Sequence, residues 1–262
     1  MDKSLAKLAP RHPRFFFEFD PLMLTACLQN HPLAIASLAK VGAPLNNPIL
    51  LRSPLSHAAS CGSLLAIQAL VALGVSPNAS TGHSGETPMI AAAFSGQVSA
   101  MELLMALGAH VDLPDAKGCS PLHWAANSGS LGPVSWLLSH GADPLLANND
   151  SLIPLMLAAR KGHRENTALL ARTEPFSLLF RDVLGNRATH HAAKASRSGA
   201  VLALAEAGAD FNALNHAGAS ALMLAEQRGH TDAVGAVRAL SERLALLAEA
   251  PATPPSAHAA RL

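Results

Sequence analysis

The sequence predicts an all-α repeat solenoid, in which stacked helix-turn-helix units are joined by β-turn or hairpin loops. Three observations predict this fold class. One short motif recurs seven times, its copies are 33 or 34 residues apart, and glycines follow most copies at fixed offsets. A constant period of this size indicates stacked units, because a single unit cannot bury its apolar face alone.

The recurring motif predicts where each unit begins. Its clearest copy, from Ser120 to Ala126, reads Ser-Pro-Leu-His-Trp-Ala-Ala. A Ser or Thr before proline can cap a helix by accepting a backbone N–H bond. Proline fits the first helical position, because its missing N–H would have no partner there. The seven copies begin at Asp20, Ser53, Thr87, Ser120, Ile153, Arg187 and Ser220.

Each unit is predicted to continue with a glycine turn and a second helix. A glycine eight residues after the proline position would end the first helix in a left-handed conformation. An apolar stripe at helical spacing follows, as at Val134, Leu137 and Leu138. A Gly-Ala or Gly-Val pair, as at Gly141-Ala142, then ends the second helix. The glycines after the first helices are Gly62, Gly96, Gly129, Gly162 and Gly229.

The period, the Thr/Ser-Pro-Leu-His-x-Ala-Ala motif and the Gly-Ala-Asp ending resemble the ankyrin repeat. The resemblance covers roughly residues 20 to 240 and implies a curved solenoid. The fifth copy departs from the family pattern, because Glu174-Pro175 replaces Gly-Ala and an apolar run, Phe176 to Phe180, replaces the polar loop. The sixth copy lacks the proline, and the glycine of its first turn is displaced to Gly199. We expect these two copies to be the weak joint of the stack.

The chain is long enough for one elongated solenoid and too short for a large second domain. We place the solenoid at residues 16–248, between a flexible lead at 1–15 and a disordered Ala/Pro-rich tail at 249–262. A helix at 233–249 is expected to cap the stack with Arg238, Glu242 and Arg243 on its polar face. The repeats are predicted near 20–48, 49–81, 82–114, 115–147, 148–181, 182–214 and 215–248.

Composition argues against several functional classes. Aromatic residues make up only 4% of the chain and Tyr is absent, whereas globular enzymes of this size usually carry a larger aromatic core. A net charge of +1 does not indicate nucleic acid binding, and no run of 18 apolar residues predicts a membrane span. The basic start lacks the apolar stretch of a secretory signal. Cys27, Cys61 and Cys119 fit neither a metal clip nor a disulfide framework, so we expect free thiols.

The chain has 13 histidines, which raises the question of a metal or catalytic site. His123 lies inside the motif, where the resemblance implies a bond to the backbone of an adjacent loop. The pair His190-His191 is also expected to be structural, because consecutive helical residues point about 100° apart and share a metal poorly. We find no nucleophile elbow, phosphate-binding loop, dinucleotide fingerprint or zinc-protease motif. The sequence therefore predicts no catalytic residue, metal or cofactor.

Charge is divided along the chain. From Ser53 to Ala159 six acidic residues outnumber one basic residue, Lys117. From Arg160 to Arg197 eight basic residues outnumber three acidic ones. Scattered charge usually marks a solvated face. The resemblance, however, implies a concave face formed by loop tips and by the end of each first helix. We expect this face to change from small, neutral and apolar to basic along the stack.

The sequence therefore predicts a protein-interaction module that acts as an adaptor, scaffold or inhibitor. The basic half of the concave face is expected to bind an acidic segment of a partner protein, while Phe94 makes apolar contact. A partner bound through loop tips alone is the alternative. The candidate concave residues are Phe94, Asn127, Arg160, Lys161, Lys194, Gln227 and Arg228. The candidate tip residues are His83, Ser84, Glu86, Lys117, Asn149, Asp150 and Asn186.

Other interpretations stay open. Nucleic acid binding through the basic half would show strong salt dependence, but the shortage of exposed aromatic residues for stacking argues against it. An enzyme would need a pocket with convergent acid and base groups. The alanine-rich, tyrosine-free chain resembles bacterial ankyrin proteins, some of which are delivered into host cells as effectors. We expect a monomeric cytoplasmic protein, or an effector secreted into a host cell.

Overall fold

The computed structural model describes residues 13–46, 53–80 and 84–230, together with 232, 235, 238 and 239, and gives the backbone alone for residues 13–20. Within these residues the chain forms helices and no β-strand. The expected tail, most of the lead and most of the capping helix lie outside them. The first helices are α1 (Pro13–Leu28), α3 (Pro54–Cys61), α5 (Pro88–Phe94), α7 (Pro121–Ser128), α9 (Pro154–Lys161), α11 (Ala188–Lys194) and α13 (Ala221–Gln227). The second helices are α2 (Pro32–Lys40), α4 (Leu64–Ala72), α6 (Val98–Ala106), α8 (Leu131–Ser139), α10 (Arg164–Thr173) and α12 (Ser198–Glu206).

The helices form two rows. Each first helix packs against the first helix of the next unit, from α1 through to α13. The second helices pack in a parallel row from α2 to α12, and each also contacts the first helix of its own unit. The predicted all-α repeat solenoid is therefore confirmed.

The motif starts helices as its residue types predict. Ser53 Oγ accepts a hydrogen bond from the backbone N–H of Ser56 at 2.9 Å, and Pro54 is the first residue of α3. The glycine at the end of a first helix is left-handed, with φ of 89° at Gly129. A side chain at Gly129 would also meet the imidazole of His163, which lies 2.6 Å from the position of an added Cβ. Only glycine meets both requirements there.

Two expectations about helix boundaries were wrong. We expected the first copy to begin a helix at Asp20-Pro21, but α1 begins at Pro13 and carries Pro21 inside it. We also expected Gly199 to replace the missing glycine of the sixth copy. Ser196 holds that place instead with φ of 54°, and Gly199 lies within α12. The repeat therefore keeps its length by placing a serine in the left-handed region.

The core lies between the two rows of helices. Alanine pairs of the motif, such as Ala58-Ala59 and Ala125-Ala126, are fully buried where first helices meet. Larger side chains of the second helices, including Leu70 and Leu137, close the core from the other side. The small alanines allow the first helices to approach closely, so the row is dense enough to bury the motif completely. Cys27 and Cys119 are buried and Cys61 is half-buried, and all are free thiols, as predicted.

Buried histidines tie neighbouring units together. His123 Nδ1 accepts a hydrogen bond from the backbone N–H of Ser120 at 3.1 Å, and its Nε2–H donates to the carbonyl of Leu152 in the next loop at 2.8 Å. His190 repeats this arrangement and donates to the carbonyl of Ala219 at 3.1 Å. Burial holds the pKa of both histidines below its ordinary value, so each keeps one donor and one acceptor. The structural role predicted for them is confirmed.

The fifth unit ends differently from its neighbours. A 3-10 helix, Pro175–Leu179, follows α10 where the other units have a glycine turn. Leu178 and Phe180 pack partly against the core, whereas Phe176 is 69% exposed and Leu179 is 58% exposed. The apolar run is therefore divided between the core and the surface.

The fifth and sixth units also hold most of the unsatisfied polar atoms. Six buried side-chain N or O atoms in the described residues lack a hydrogen-bond partner, and all but Asp112 Oδ1 lie between Asn166 and Thr189. Asn166 is fully buried and both of its amide atoms are unpaired. It is the third residue of α10, a position that alanine fills in four other second helices. These residues are Ala34, Ala66, Ala100 and Ala200.

Replacing Asn166 by alanine should stabilise the protein. Asn166→Ala removes two unsatisfied polar atoms and places there the residue that other units use, so we expect the free energy of unfolding to rise by roughly 1 kcal/mol. Urea unfolding followed by circular dichroism measures the change. Asn212→Ala, at an exposed position, is the matched control and should shift stability by less than about 0.5 kcal/mol. Destabilisation by Asn166→Ala would contradict this account.

The weak joint predicted from the sequence should appear in hydrogen exchange. Amides across Arg172 to Arg197 should exchange faster than those across Thr87 to Asn127, because the first stretch contains the 3-10 helix and several unsatisfied groups. Mass spectrometry of the native protein measures both stretches in one experiment. Uniform protection of the two stretches would refute the prediction.

Acid should weaken the ties between units. The folded-state pKa of His123 and of His190 lies below the unfolded value of about 6.5, so the folded state binds fewer protons near that pH. Their stabilisation is complete above about pH 6.5 and is lost as the pH falls through that value. We expect a lower melting temperature at pH 5.5 than at pH 7.5. His123→Gln/His190→Gln should reduce this difference, whereas His110→Gln, at an exposed position, should leave it unchanged. Equal pH dependence in all three proteins would exclude these histidines as its cause.

Candidate functional site

Two adjoining surface pockets lie along the first helices α5, α7 and α9. The last turns of these helices form their floor, and the loops that precede the helices form their wall. The row of first helices continues with α11 and α13, whose last turns extend this surface. We call this surface the inner groove. One floor position recurs in every unit, six residues after the proline position. The residues at this position are Phe94, Asn127, Arg160, Lys194 and Gln227.

An Asp or Asn side chain organises each loop of the wall. In the fourth unit Asp115 Oδ1 accepts the backbone N–H groups of Lys117 at 2.8 Å and Cys119 at 2.9 Å. Three pairs of adjacent tips are joined by a backbone hydrogen bond, as from Asn149 N–H to the carbonyl of Lys117 at 3.0 Å. These bonds fix the joined tips relative to one another along the groove. The organising residues of four successive loops are Asp115, Asn148, Asp182 and Asn215.

Two aromatic rings form the apolar end of the inner groove. Phe94 and Trp124 meet edge to face, with ring centroids 5.5 Å apart and an interplanar angle of 88°. The indole N–H of Trp124 donates to Asp115 Oδ2 at 3.0 Å, so the loop fixes the ring. A pocket of about 140 Å³ lies beside the rings, and Ile90 and Glu86 also line it. This pocket is mostly apolar and already formed.

A second pocket, of about 230 Å³, lies on the side of Trp124 that faces the fifth unit. Asn127 and Arg160 contribute polar side chains from the floor. Lys117 and Asp150 contribute charged side chains from the loop tips. Trp124 is the residue that lines both pockets, and cationic side chains line only the second.

The basic end of the inner groove carries four exposed cations. None of them forms an ion pair within the described part of the chain. Outside the groove, Arg164 bonds Glu206 at 3.1 Å and Arg187 lies 3.7 Å from Asp210, whereas Lys40, Arg172 and Arg197 form no ion pair with described residues either. The positive charge of the groove is therefore not neutralised by described neighbours. The four cations are Arg160, Lys161, Lys194 and Arg228.

His191 lies close enough to two of these cations to be influenced by their charges. Its Nε2–H donates to Asp182 Oδ2 at 2.9 Å, which repeats the bond from Trp124 to Asp115 two units earlier. Burial lowers the pKa of His191, and the charges of Arg160 and Lys194 lower it further, although Asp182 opposes them. His191 is therefore neutral at pH 7. The predicted structural role of the His190-His191 pair is confirmed for both members.

Histidines of following units fix the ends of the groove helices. His163 Nε2–H donates to the carbonyl of Asn127 at 3.1 Å, and His230 Nε2–H donates to the carbonyl of Lys194 at 3.2 Å. These bonds hold the last turns that carry the floor side chains. Gln227 lies exposed at the end of α13, so the floor continues to the seventh unit.

The predicted tip residues occupy different environments. Lys117, Asn149 and Asp150 are exposed on adjacent tips. Ser84, also exposed, and the half-buried Glu86 line the apolar pocket. His83 lies outside the described residues.

Asn186 is not exposed at a tip. Its side chain is buried, where its amide donates to Asp182 Oδ2 at 3.1 Å and its carbonyl oxygen accepts from Asn215 at 2.9 Å. The residue is therefore part of the loop's internal network. We leave it out of the proposed site.

Sequence reasoning missed the central residue of the groove, Trp124. The residue fills the variable position of the motif, between His123 and Ala125. The fixed positions on either side are buried, so the variable position is the one that points into the groove. A tryptophan at that position was the available signal. Its partner Asp115 carried no comparable signal, because the loop hydrogen bonds become visible only in three dimensions.

The described residues hold neither a cluster of metal ligands nor a helix that could span a membrane. No group of three or more His, Cys, Asp or Glu side chains there is placed to hold a metal ion. No described helix is long and apolar enough to cross a membrane.

Comparisons with known proteins identify the family. A family model described as "Ankyrin repeats (3 copies)" matches residues 55–148 and 134–215, which together make up more than half of the chain. "Ankyrin repeat protein nuc-2" of Neurospora crassa is 31% identical over 184 residues, which is 69% of this chain and 17% of that protein. "Ankyrin repeat and KH domain-containing protein mask-1" of Caenorhabditis elegans is 36% identical over 43% of this chain and 4% of that protein.

A human relative and a solved structure agree with this result. "Palmitoyltransferase ZDHHC17" of Homo sapiens is 31% identical over 52% of this chain and 27% of its own length. The chain thus spans less than a third of each curated relative named here. The crystal structure of the human ASB11 ankyrin repeat domain superposes with a TM-score of 0.62 at 25% identity, and the match covers 78% of this chain and 90% of that one. The chain belongs to the ankyrin repeat family.

Proposed function

We propose that this protein is an interaction module, acting as an adaptor, scaffold or inhibitor, that binds a partner protein in the inner groove. The basic end would hold an acidic segment of the partner, and the apolar end would hold an uncharged side chain. One observation carries the proposal: the exposed cations of the groove recur along adjacent units without ion pairs in the described chain.

Unpaired cations are costly to leave close together unless a negative ligand joins them. Arg160 and Lys194 both raise the potential at His191, which places them on the same part of the groove. An acidic segment would relieve their repulsion and would also be steered toward the groove before contact. The apolar pocket beside Trp124 adds a desolvated contact, which is the kind that contributes most to affinity.

The charge pattern favours a protein over nucleic acid. The wall opposite the floor carries the carboxylates of Asp150 and Glu86, which would repel a phosphate backbone. A polypeptide can place neutral or basic groups against these carboxylates and acidic groups against Arg160. Binding through the exposed tips alone, by Lys117 and Asn149, is the competing arrangement.

The cellular setting is part of the proposal. We propose a monomeric cytoplasmic protein. In a second version, the chain is a bacterial effector that acts on a host protein, which its content of 52 alanines and no tyrosine favours. The named relatives come from Neurospora, Caenorhabditis and human. The same groove and the same test apply to both versions, with host-cell lysate used for the second.

Charge reversal in the groove should abolish partner binding. We compare the wild type with Arg160→Glu/Lys161→Glu/Lys194→Glu/Arg228→Glu in affinity capture from native lysate, read by mass spectrometry. A partner enriched by the wild type should be lost from the variant, because each reversed charge turns attraction into repulsion. Helix content should stay unchanged, since these side chains are exposed.

A second variant of equal charge change controls for bulk electrostatics. Lys40→Glu/Arg164→Glu/Arg172→Glu/Arg238→Glu alters exposed cations outside the groove and should retain the partner. Equal retention by both variants would move the site to the loop tips and contradict the proposal. If both variants lose the partner equally, the loss is caused by the change in net charge and not by the groove. Capture of nucleic acid alone, removed by salt, would favour the nucleic acid alternative.

A further inference from the structure

The two pockets beside Trp124 define what kind of partner segment fits. We infer that the inner groove binds an extended segment in which one apolar side chain enters the pocket beside Phe94, while an acidic side chain three residues away reaches Arg160. This inference rests on the proposed function and names the chemistry of the partner. The inferred segment is more specific than a ligand for any basic surface, because it must make two contacts at a set distance from each other.

The first pocket fits a single apolar side chain. Its volume is about 140 Å³, and a protein cavity of roughly 150 Å³ lined by aliphatic and aromatic residues accepts benzene. Ile90, Phe94 and Trp124 supply its apolar surface. A leucine, isoleucine or phenylalanine would fill it, whereas an acidic side chain would lose its hydration there and meet the carboxylates of Glu86 and Asp115.

The second pocket fits a short acidic side chain. Arg160 and Lys117 approach it from opposite sides, and Asn127 and Asn148 add amide groups that can donate hydrogen bonds. Asp150 also lines it and offsets one of the two positive charges. One carboxylate from the bound segment would offset the other. A carboxylate between an arginine and a lysine forms charge-assisted hydrogen bonds, which are stronger than neutral ones.

The stacking distance of the units sets the spacing of the two contacts. The first pocket lies between the third and fourth units, and the second lies between the fourth and fifth. Packed helices are about 8–10 Å apart. Three residues of a polyproline II helix span about 9 Å and return to the same face. Three residues of a β-strand span about 10 Å but point the third side chain to the opposite face, so the spacing requires a polyproline II segment. Lys194, one unit further along, would meet a second acidic residue about three positions later.

Trp124 is fixed before the partner arrives. Asp115 holds the indole N–H, and the ring of Phe94 rests edge-on against the indole. Because both pockets share this ring as a wall, little ordering of the protein is needed when the segment binds. A preformed site of this kind retains more of its contact energy as affinity.

Tryptophan fluorescence gives a direct readout of this site. The chain has 2 tryptophans, and Trp136 is buried in α8, where it stacks on His140 with a centroid distance of 4.0 Å. Trp136→Phe therefore leaves Trp124 as the only reporter. We would select peptides of about 12 random residues displayed on phage against this variant, and then titrate the enriched synthetic peptides while following emission.

The expected result has three parts. Enriched peptides share an apolar residue and an Asp or Glu three positions apart, and their binding shifts the emission of Trp124. In the Trp136→Phe background, Phe94→Ala weakens binding at least tenfold for these peptides. Arg160→Gln weakens it by a similar factor and removes the preference for the acidic residue, whereas Arg164→Gln, outside the groove, changes neither.

Three results would overturn the inference: no enriched peptide, enriched peptides without the shared spacing, or affinities indifferent to both Phe94→Ala and Arg160→Gln. The proposed function is judged separately by the capture experiment. A partner captured by the wild type and lost with charge reversal, alongside any of these three results, would mean that the groove binds a folded surface rather than this segment.

Discussion

The close approach of successive first helices is the constraint on which the rest of the structure depends. Buried alanines such as Ala59 and Ala126 keep these helices slim, so adjacent units stack at one fixed distance. Each unit buries its apolar face only against its neighbours, as expected of a quasi-one-dimensional fold. The same spacing recurs along the loops, where single backbone hydrogen bonds join one tip to the next.

Because the units stack at a regular spacing, residues at the same position of successive repeats lie in a row on the surface. A residue six places after the proline position reappears once per unit along the inner groove. The identity of that residue therefore sets the local chemistry: Phe94 near one end, then Asn127, then Arg160 and Lys194. Tip residues organised by Asp115 and its equivalents form the opposite wall. A change from apolar to basic along the chain thus becomes a change along one surface of the molecule.

Much of the fold could be predicted from the sequence because its rules are local. The serine before Pro54 caps a helix and Gly129 ends one, and both follow from backbone chemistry within a few residues. The failures came where tertiary context decides. The sequence predicts that Pro21 starts a helix, yet this residue lies inside α1, and Ser196 adopts a conformation that favours glycine.

The candidate site was only partly predictable, for a similar reason. Periodicity places Phe94, Arg160 and Lys194 in one row without any structure. The contacts that make pockets depend on separate segments meeting in space. The bond from Trp124 to Asp115 and the burial of Asn186 are of this kind, since both arise from loops folded against helices. The sequence alone therefore predicts which residues recur along the groove, but it does not predict the pockets.

The central claim is that a partner protein occupies the inner groove, and site-specific crosslinking tests it most directly. A photo-reactive phenylalanine analogue placed at Asn127 lies in the second pocket, and the same group at Ser99 lies exposed on the second helix α6. After irradiation in native lysate, crosslinked products are identified by mass spectrometry. We expect one dominant partner at Asn127, attached through a segment that contains acidic residues, and no product at Ser99. A partner crosslinked at Ser99 and absent at Asn127 would contradict the account.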